Sequence, residues 1–479
     1  MFSSIIPSAL TVGFGGSAGL EGPTVATGAA IGSNLGQLLH LNHKQIILLL
    51  GCACAGALSA IFKAPIAAIV FALEVIMLDL TMAALVPLLM ASLSAALTSY
   101  FFLGQDVLYP VALADDFVWF DFPVYILLGI TTGLVSLYFI KVYIFITEAF
   151  EKIKSKSVRL LGGGLALGVL IFFLPSLYGE GYEEINQSLQ GDLGYLFKNT
   201  LFTIQENAFV IMGLLLAVII FKVIATSLTF GIGGIGGVFA PSLFIGANTG
   251  LLFGKILNYF DFKVYSESSF ALVGMAGLIA AVLHAPLTAI FLIAEITGGY
   301  NLILPLMITA TISYTTIKYF EKNSIYTFQL AKRKELITHH KDKAVLSRMK
   351  VEKLIENNFT TVNEEANLGE LIKIVAKSHR NIFPVIDNEN MLYGFITLDN
   401  IRDIMFRPEL YETVLVRSLM TVPQTVVHPD DSVEAVAEKF HASGKYNIPV
   451  LKDGKYLGFI SKANLFSAYR KLLKRFSEE

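Results

Sequence analysis

The sequence predicts an all-α, polytopic membrane domain with broken helices in an inverted repeat, followed by two small α/β domains in tandem. Three observations lead to this fold class. Of the 479 residues, 54% are hydrophobic, and the mean hydropathy of +0.63 is too apolar for an ordinary soluble protein. Charged residues are concentrated towards the C-terminus, and two separate parts of the chain each contain an internal repeat.

Charge divides the chain into an apolar part and a polar part. Residues 1–320 hold 29 of the 74 Asp, Glu, Lys and Arg residues, although they make up two thirds of the chain. Several apolar stretches in this part are long enough to cross a hydrocarbon core of ~30 Å as helices. We therefore expect a transmembrane domain over 1–320, a connector over 321–348, and soluble domains over 349–410 and 411–479.

Two motifs in the apolar part repeat in the same order. GLEGPTVATGAAIG (19–32) aligns with GVFAPSLFIGANTG (237–250), 218 residues later. AGALSAIFKAPIAAIVFALEV (55–75) aligns with AGLIAAVLHAPLTAIFLIAEI (276–296), 221 residues later. Because order and spacing are both preserved, the sequence indicates a duplicated membrane half, of the kind that forms inverted repeats in transporters.

The polar part contains a second repeat. NIFPVIDNENMLYGFITLDNI (381–401) resembles YNIPVLKDGKYLGFISKANL (446–465). Each copy predicts strand, turn, strand and helix, with a further helix upstream at 368–378 or 432–443. The sequence therefore predicts two α/β domains of the same fold.

Broken helices in a membrane are typical of substrate sites. The stretches 24–39 and 241–257 are short and interrupted by Gly and Pro, and freed backbone groups are tolerated in lipid only where they face protein or a cavity. A helix start presents unpaired N–H groups and a positive dipole end, so it attracts anions without any basic side chain. Glu21 is an isolated acid at one such start. We interpret it as a tethered competitor for the anion and a proton-sensitive gate.

These motifs resemble the voltage-gated chloride channel and chloride/proton antiporter (CLC) family. GLEGP, GVFAP, the repeated Ala-Pro helices and a C-terminal pair resembling CBS domains occur here in one chain. The resemblance implies that Glu21 is the gating glutamate. It also implies chloride-binding positions, which are Gly22, Val238, Phe239, Ala240 and Tyr326.

The resemblance leaves the transport mechanism open. Antiporter members carry an internal proton-transfer glutamate where this chain has Val75. Valine carries no proton, which favours a channel-like protein. Chloride/proton exchange through Glu74 is the alternative, although adjacent helical positions point ~100° apart. We expect Glu74 to be structural instead, as a capping or pairing residue near a helix end, and its repeat mate Glu295 to be structural as well. Fluoride selectivity is a further alternative within the family.

The family pattern also has helices before the Glu-containing motif, one of them with a Gly-Ser-Gly-Ile-Pro serine as a chloride ligand. This sequence starts in the helix just before GLEGP and has no such motif. A transport-deficient fragment that retains a nucleotide-sensing CBS pair is therefore another alternative.

In the CBS pair, adenine nucleotide is the candidate ligand. By the resemblance, Thr397 with Asn400 and Ser461 with Asn464 occupy the positions that contact phosphate and ribose. The usual ribose partner is an acid, and Asn accepts with only one of its polar groups, so binding is expected to be weakened or absent. The alternative is that these residues cap the following helices in a structural, dimer-stabilising pair.

Other classes of function are excluded or expected on simpler grounds. The net charge of −2 and the lack of a long basic stripe argue against a nucleic-acid partner. Glu21, Glu74 and Glu295 are too scattered for a Mg²⁺ pathway, and we expect no enzyme activity, catalytic residue, metal site or required cofactor. The expected partners are chloride, the lipid bilayer and a second copy of the chain. Basic residues in 321–348 predict that the CBS domains are cytoplasmic. The protein itself is expected to be a multi-pass protein of the plasma or inner membrane of a prokaryote.

Overall fold

The computed structural model describes residues 4–76, 82–104, 109, 118–197, 207–260, 265–332, 346 and 349–478. The chain divides into two compact units, Met1–Leu336 and Ile337–Glu479. The first unit is helical and the second mixes strands with helices. The predicted fold class, a helical membrane domain followed by an α/β pair, is therefore confirmed.

The helices of the first unit are as follows. They are α1 (Ile5–Gly13), α2 (Glu21–Leu38), α3 (His43–Phe62), α4 (Pro65–Phe71), α5 (Met82–Leu103), α6 (Phe122–Glu151), α7 (Lys156–Phe173), α8 (Tyr182–Leu189), α9 (Ala208–Gly231), α10 (Phe239–Tyr259), α11 (Glu267–Leu283), α12 (Pro286–Ile296), α13 (Ile303–Phe320) and α14 (Ile325–Lys332). A π-helical turn, Ala72–Ile76, continues α4. Helix α14 lies in the segment predicted as a connector, whose residues 333–345 and 347–348 are outside the described part of the chain.

Six helices among the described residues are long and apolar enough to cross a membrane. They are His43–Phe62, Ala84–Leu103, Trp119–Glu151, Lys156–Phe173, Ala208–Gly231 and Phe239–Tyr259. Three shorter apolar segments are Pro65–Ile76, Glu267–Leu283 and Pro286–Ile296. This mixture of full-length and interrupted helices belongs to a multi-pass membrane protein with non-helical backbone at helix breaks.

The two halves of the membrane repeat meet at a matched pair of glycines. The Gly19 amide donates to the Gly237 carbonyl at 2.9 Å, and the Gly237 amide donates to the Gly19 carbonyl at 2.7 Å. This reciprocal, antiparallel pairing of equivalent residues is what a two-fold axis between inverted halves produces.

The repeat also extends further towards the N-terminus than the aligned motifs. Thr229 Oγ1 accepts from the Ser17 amide at 3.0 Å, and Thr11 Oγ1 accepts from the Ile235 amide at 3.1 Å. Thr11 matches Thr229, and Ser17 matches Ile235, at the same offset of 218. The symmetry therefore includes the end of α1 and the end of α9.

A second reciprocal contact joins the Ala-Pro helices. The Glu74 carboxylate accepts from the amides of Leu287 and Thr288 at 3.1 and 2.8 Å and from the Thr288 hydroxyl at 2.7 Å. The Glu295 carboxylate accepts from the amides of residues 66–67 at 3.1 and 2.8 Å. Each glutamate therefore caps the helix start in the opposite half, where amides are otherwise unpaired.

The second unit contains two matched hairpins. One sheet has the order β1 (Val362–Asn363), β2 (Ile382–Ile386), β3 (Leu392–Thr397), and the other pairs β4 (Asn447–Lys452) with β5 (Lys455–Ser461). The helices are α15 (Leu368–Lys377), α16 (Leu398–Ile401), α17 (Val433–Ser443) and α18 (Lys462–Glu478). Ile382 lies opposite Thr397 in one hairpin and Asn447 opposite Ser461 in the other. The predicted order of strand, turn, strand and helix is thus confirmed in both copies.

The two copies pack against each other within this unit. Glu356 and Phe459 exchange backbone hydrogen bonds of 2.8 and 3.1 Å, and the rings of Phe359 and Phe459 lie 4.9 Å apart. The segment before the first copy therefore contacts the last strand of the second.

Candidate anion pathway

The starts of α2 and α10 lie side by side because the Gly19–Gly237 pair joins them. Both N-cap residues, Leu20 and Val238, are apolar and offer no side-chain acceptor to the first-turn amides. A Cβ on Gly237 would lie 2.9 Å from the Gly22 amide nitrogen, so glycine at 237 permits this close approach of the two backbones. Two positive helix ends, whose first-turn amides have no partner within their own helix, therefore face one region of the membrane unit.

Two cavities open at these helix starts and share Gly22 and Tyr326. The Val238 cavity has a volume of about 270 Å³ and is also lined by Val238 and Tyr143. The Val75 cavity has a volume of about 250 Å³ and is also lined by Glu21, Val75 and Phe239. Each volume is several times the ~30 Å³ share of one water molecule, so each has room for a hydrated ion.

Glu21 lies between the two helix starts and is buried, with 3% of its surface exposed. Its Oε1 accepts a hydrogen bond from the Tyr182 hydroxyl. Its carboxylate lies near the amide of Ala240, in the first turn of α10, but Oε2 has no partner in hydrogen-bond geometry among the described residues. The side chain thus occupies the space where helix-start amides would meet an anion.

Val75 and Glu74 face different surroundings although they are neighbours in the chain. Val75 lines the cavity that contains Glu21. Glu74 is instead engaged by three hydrogen bonds at the start of α12. The residue that the resemblance aligns with the internal proton glutamate therefore faces this cavity with an apolar side chain.

The structure brings the residues implicated by the sequence to one place. Glu21, Gly22, Phe239 and Tyr326 line the Val75 cavity. Val238 lines the neighbouring cavity, and Ala240 lies beside the Glu21 carboxylate. These contacts locate the candidate residues, and their roles in binding chloride stay predictions.

Sequence reasoning missed the residues that surround Glu21 from the loop before α8. Tyr182 contacts the Glu21 carboxylate, and Glu180 accepts from the Leu20 amide at 2.8 Å. Both lie about 160 residues from Glu21 in the chain, outside the repeated motifs. The one feature of the sequence that could have indicated these residues is the short polar segment YGEGYEE at 178–184, which lies in an apolar domain.

The four candidate nucleotide residues make hydrogen bonds inside the CBS pair. Asn400 Oδ1 accepts from the Thr397 amide at 2.9 Å and from its hydroxyl at 2.5 Å. The Ser461 hydroxyl donates to Glu356 at 2.5 Å and accepts from the Asn464 amide at 3.1 Å. These bonds cap the helices that follow β3 and β5, as in the structural alternative. Nucleotide binding stays a prediction.

Each of the two units matches a known protein family. The family described as "Voltage gated chloride channel" matches residues 1–318, and the CBS domain matches residues 351–407 and 416–471. The chain therefore belongs to the voltage-gated chloride channel (CLC) family and carries two CBS domains. The resemblance inferred from the motifs is confirmed.

Individual relatives carry both channel and exchanger names. A "Putative chloride channel protein ClcB-like" from Ralstonia nicotianae is 32% identical over 334 residues, covering 68% of this chain and 74% of that protein. An "H(+)/Cl(-) exchange transporter ClcA" from Vibrio cholerae is 30% identical over 301 residues, covering 61% of each. A crystal structure of a slow cyanobacterial Cl⁻/H⁺ antiporter matches with a TM-score of 0.58 and 24% identity, over 67% of this chain and 73% of that one. That structural likeness supports the fold.

Proposed function

We propose that this protein conducts chloride passively across a membrane, through an anion site at the starts of α2 and α10 that Glu21 gates. The observation that supports this most is the position of Glu21, a buried carboxylate at a place built from helix-start amides. In this proposal, the amides of Val238 and Phe239 bind chloride through their N–H groups, and the Tyr326 hydroxyl donates from the cavity wall. No metal or cofactor takes part.

The gate works by competition between two anions for the same amides. The Glu21 carboxylate carries a negative charge of its own, so it occupies the site in place of chloride when it is ionised. Protonation removes that charge and with it the attraction to the positive helix ends. The freed site then admits chloride, so flux rises as the pH falls.

Proton transport is not coupled to this flux, because Val75 holds no proton at the point where the cavity would need a relay. Glu74 does not replace it, since its carboxylate is engaged at the α12 start. Chloride/proton exchange is the second candidate, and it is supported by the exchanger name of the Vibrio cholerae relative.

The two candidates differ in what a chloride gradient does to protons. Reconstituted in liposomes, the protein should let an imposed chloride gradient collapse without uphill proton movement, and its reversal potential should equal that of chloride. Proton pumping at a fixed ratio to chloride would contradict the channel proposal. A variant Val75→Glu provides the matched comparison, because it restores a carboxylate at the relay position.

Assembly and orientation complete the proposal. We expect a homodimer with one pathway per subunit, and CBS domains in the cytoplasm, because basic residues follow the last apolar helix. Crosslinking in native membranes should give a dimer. A protease added to sealed, right-side-out vesicles should leave the CBS domains intact, and cleavage there would contradict the orientation.

A further inference from the structure

We propose that Tyr182 is a positioning residue that holds Glu21 in the closed state, so that its hydroxyl sets the pH at which the pathway opens. This inference rests on the proposed function of Glu21 as the gate. It adds a second residue to the gate, from a part of the chain outside the aligned repeat motifs.

The contact is specific in geometry. Tyr182 is the first residue of α8, and its hydroxyl donates to Glu21 Oε1. A donor stabilises the ionised carboxylate over the neutral acid, because the ionised oxygen is the stronger acceptor. The bond therefore favours the form of Glu21 that occupies the anion site.

The loop that leads into Tyr182 is itself attached to the gate and to the membrane core. Glu180 accepts from the amide of Leu20, the residue directly before Glu21, at 2.8 Å. The fully buried Lys222 of α9 donates to the carbonyl groups of Leu177 and Gly179 at 3.2 and 3.0 Å. The Glu180 contact thus holds the loop against the start of α2, and the two Lys222 contacts attach it to α9.

Backbone conformation adds a further constraint on the loop. Gly181 has a φ of +91°, a conformation that side-chain-bearing residues rarely adopt. A Cβ at this position would also lie 2.5 Å from the Phe244 ring of α10. The loop therefore contacts both helices of the anion site, which fixes where the Tyr182 hydroxyl lies.

Ionisable groups near Glu21 come from several elements. Glu180 and Tyr182 belong to the loop and to α8, Tyr109 lies in the segment before α6, and Tyr326 belongs to α14. The Tyr109 hydroxyl is buried and makes no hydrogen bond to the described residues. Glu180 repels the Glu21 carboxylate, whereas the Tyr182 hydroxyl is the group that bonds to it. Removal of that hydroxyl should therefore have the largest effect on its ionisation.

The test is the pH dependence of chloride efflux from liposomes that contain the chain with Tyr182→Phe. We expect the midpoint of the flux curve to move to higher pH by about one unit. Loss of the hydrogen bond should make protonation of Glu21 about tenfold more favourable, which corresponds to one pH unit, or about 1.4 kcal/mol. The matched control is Tyr195→Phe, which removes a buried hydroxyl bonded to Asn248 at 2.7 Å and should leave the midpoint unchanged.

A double variant shows whether Tyr182 acts through Glu21. Once Glu21→Gln has removed the pH dependence, adding Tyr182→Phe should change flux no further. If Glu21→Gln removes the pH dependence but Tyr182→Phe does not move the midpoint, the role of Tyr182 is wrong and the gate stands. If Glu21→Gln keeps the wild-type pH dependence, the gate itself is wrong.

Infrared spectroscopy gives a readout that does not need transport. The C=O band of protonated Glu21, isolated by subtracting the spectrum of Glu21→Gln, should appear at higher pH in Tyr182→Phe than in the wild type. An identical titration in both proteins would overturn the proposal.

Discussion

The starts of α2 and α10 are repeat mates with nearly the same backbone and different chemistry. Their N-cap residues have φ and ψ of −92° and −9° at Leu20, and −88° and 0° at Val238. At the next position one helix has Glu21, bonded to Tyr182, and the other has Phe239, whose ring lies 5.3 Å from that of Phe62. In the proposed mechanism, the duplicated backbone therefore supplies both halves of the anion site, and one side chain supplies the gate.

In the CBS pair, too, the backbone is repeated while the side-chain contacts differ. Both hairpins end in a hydroxyl residue that begins a helix, with Asn three residues later. Thr397 bonds to its own Asn400, whereas Ser461 bonds to Glu356, which also pairs with Arg380 at 2.7 Å. A repeat in the fold thus does not imply a repeat in side-chain function.

The largest loss of stability is expected for substitution of Glu74 and Glu295, because here the two halves share the side chain as well as the backbone. Glu74→Ala leaves three donors at the start of α12 without an acceptor, and should cost about 1.5–3 kcal/mol of unfolding free energy. Glu295→Ala removes two bonds and should cost less. Thermal unfolding in detergent measures both, with the exposed Glu183→Ala as control. A large effect in one half only would mean that the caps are not equivalent.

A smaller loss of stability is expected for substitution of Phe239, the residue of α10 that corresponds to Glu21 of α2. Phe239→Leu keeps an apolar side chain at the α10 start but removes the ring contact with Phe62, and should cost about 1 kcal/mol of stability. Because no ionisable group changes, the pH midpoint of chloride flux should stay at the wild-type value. A shifted midpoint would show that α10 contributes to gating through its side chain.

Nucleotide binding to the CBS pair should be weak, because the hydroxyl and amide groups at both candidate positions already bond within the protein. Calorimetric titration of ATP, ADP and AMP into the full chain in detergent should give no heat below millimolar concentration. Tight binding would contradict this prediction. Ser461→Ala, compared with Thr397→Ala, would then show which copy binds.

The smallest effect concerns a charge pair found in the second CBS copy. Although partial burial raises the pKa of Asp431, the hydrogen bonds from Lys439 and the His428 amide lower it below its ordinary value of 3.8 overall. Its contribution to stability is therefore present above that value and is lost as the pH falls through the lowered pKa. Asp431→Asn should cost under about 1 kcal/mol at neutral pH and less in acid. In the first copy, Ala366 corresponds to Asp431 and Ile374 to Lys439, so no charge pair forms there. Ala366→Ser, which adds no charge, is therefore the control.

The sequence predicted what depends on local patterns and repeats. The matched glycines at 19 and 237 predicted two helix starts at one site, and the hairpin signals predicted β2–β3 and β4–β5. The contacts of Tyr182 and Lys222 could not be predicted from the sequence, because they depend on how a loop outside the aligned motifs packs in three dimensions. The repeat starts earlier, at Thr11, where TVGFGG aligns with TFGIGG; this short match is weak in sequence alone, and the reciprocal hydrogen bonds of Thr11 and Thr229 establish it.

The most direct test of the account is the pH dependence of chloride flux through Glu21→Gln, with the exposed Glu183→Gln as the matched carboxylate control. Glutamine has the shape of the protonated acid and cannot ionise. We expect Glu21→Gln to conduct at neutral pH at the rate that the wild type reaches only in acid, with no further rise on acidification, while Glu183→Gln behaves as the wild type. A Glu21→Gln protein with the wild-type pH dependence would contradict the claim that one side chain gates a duplicated anion site.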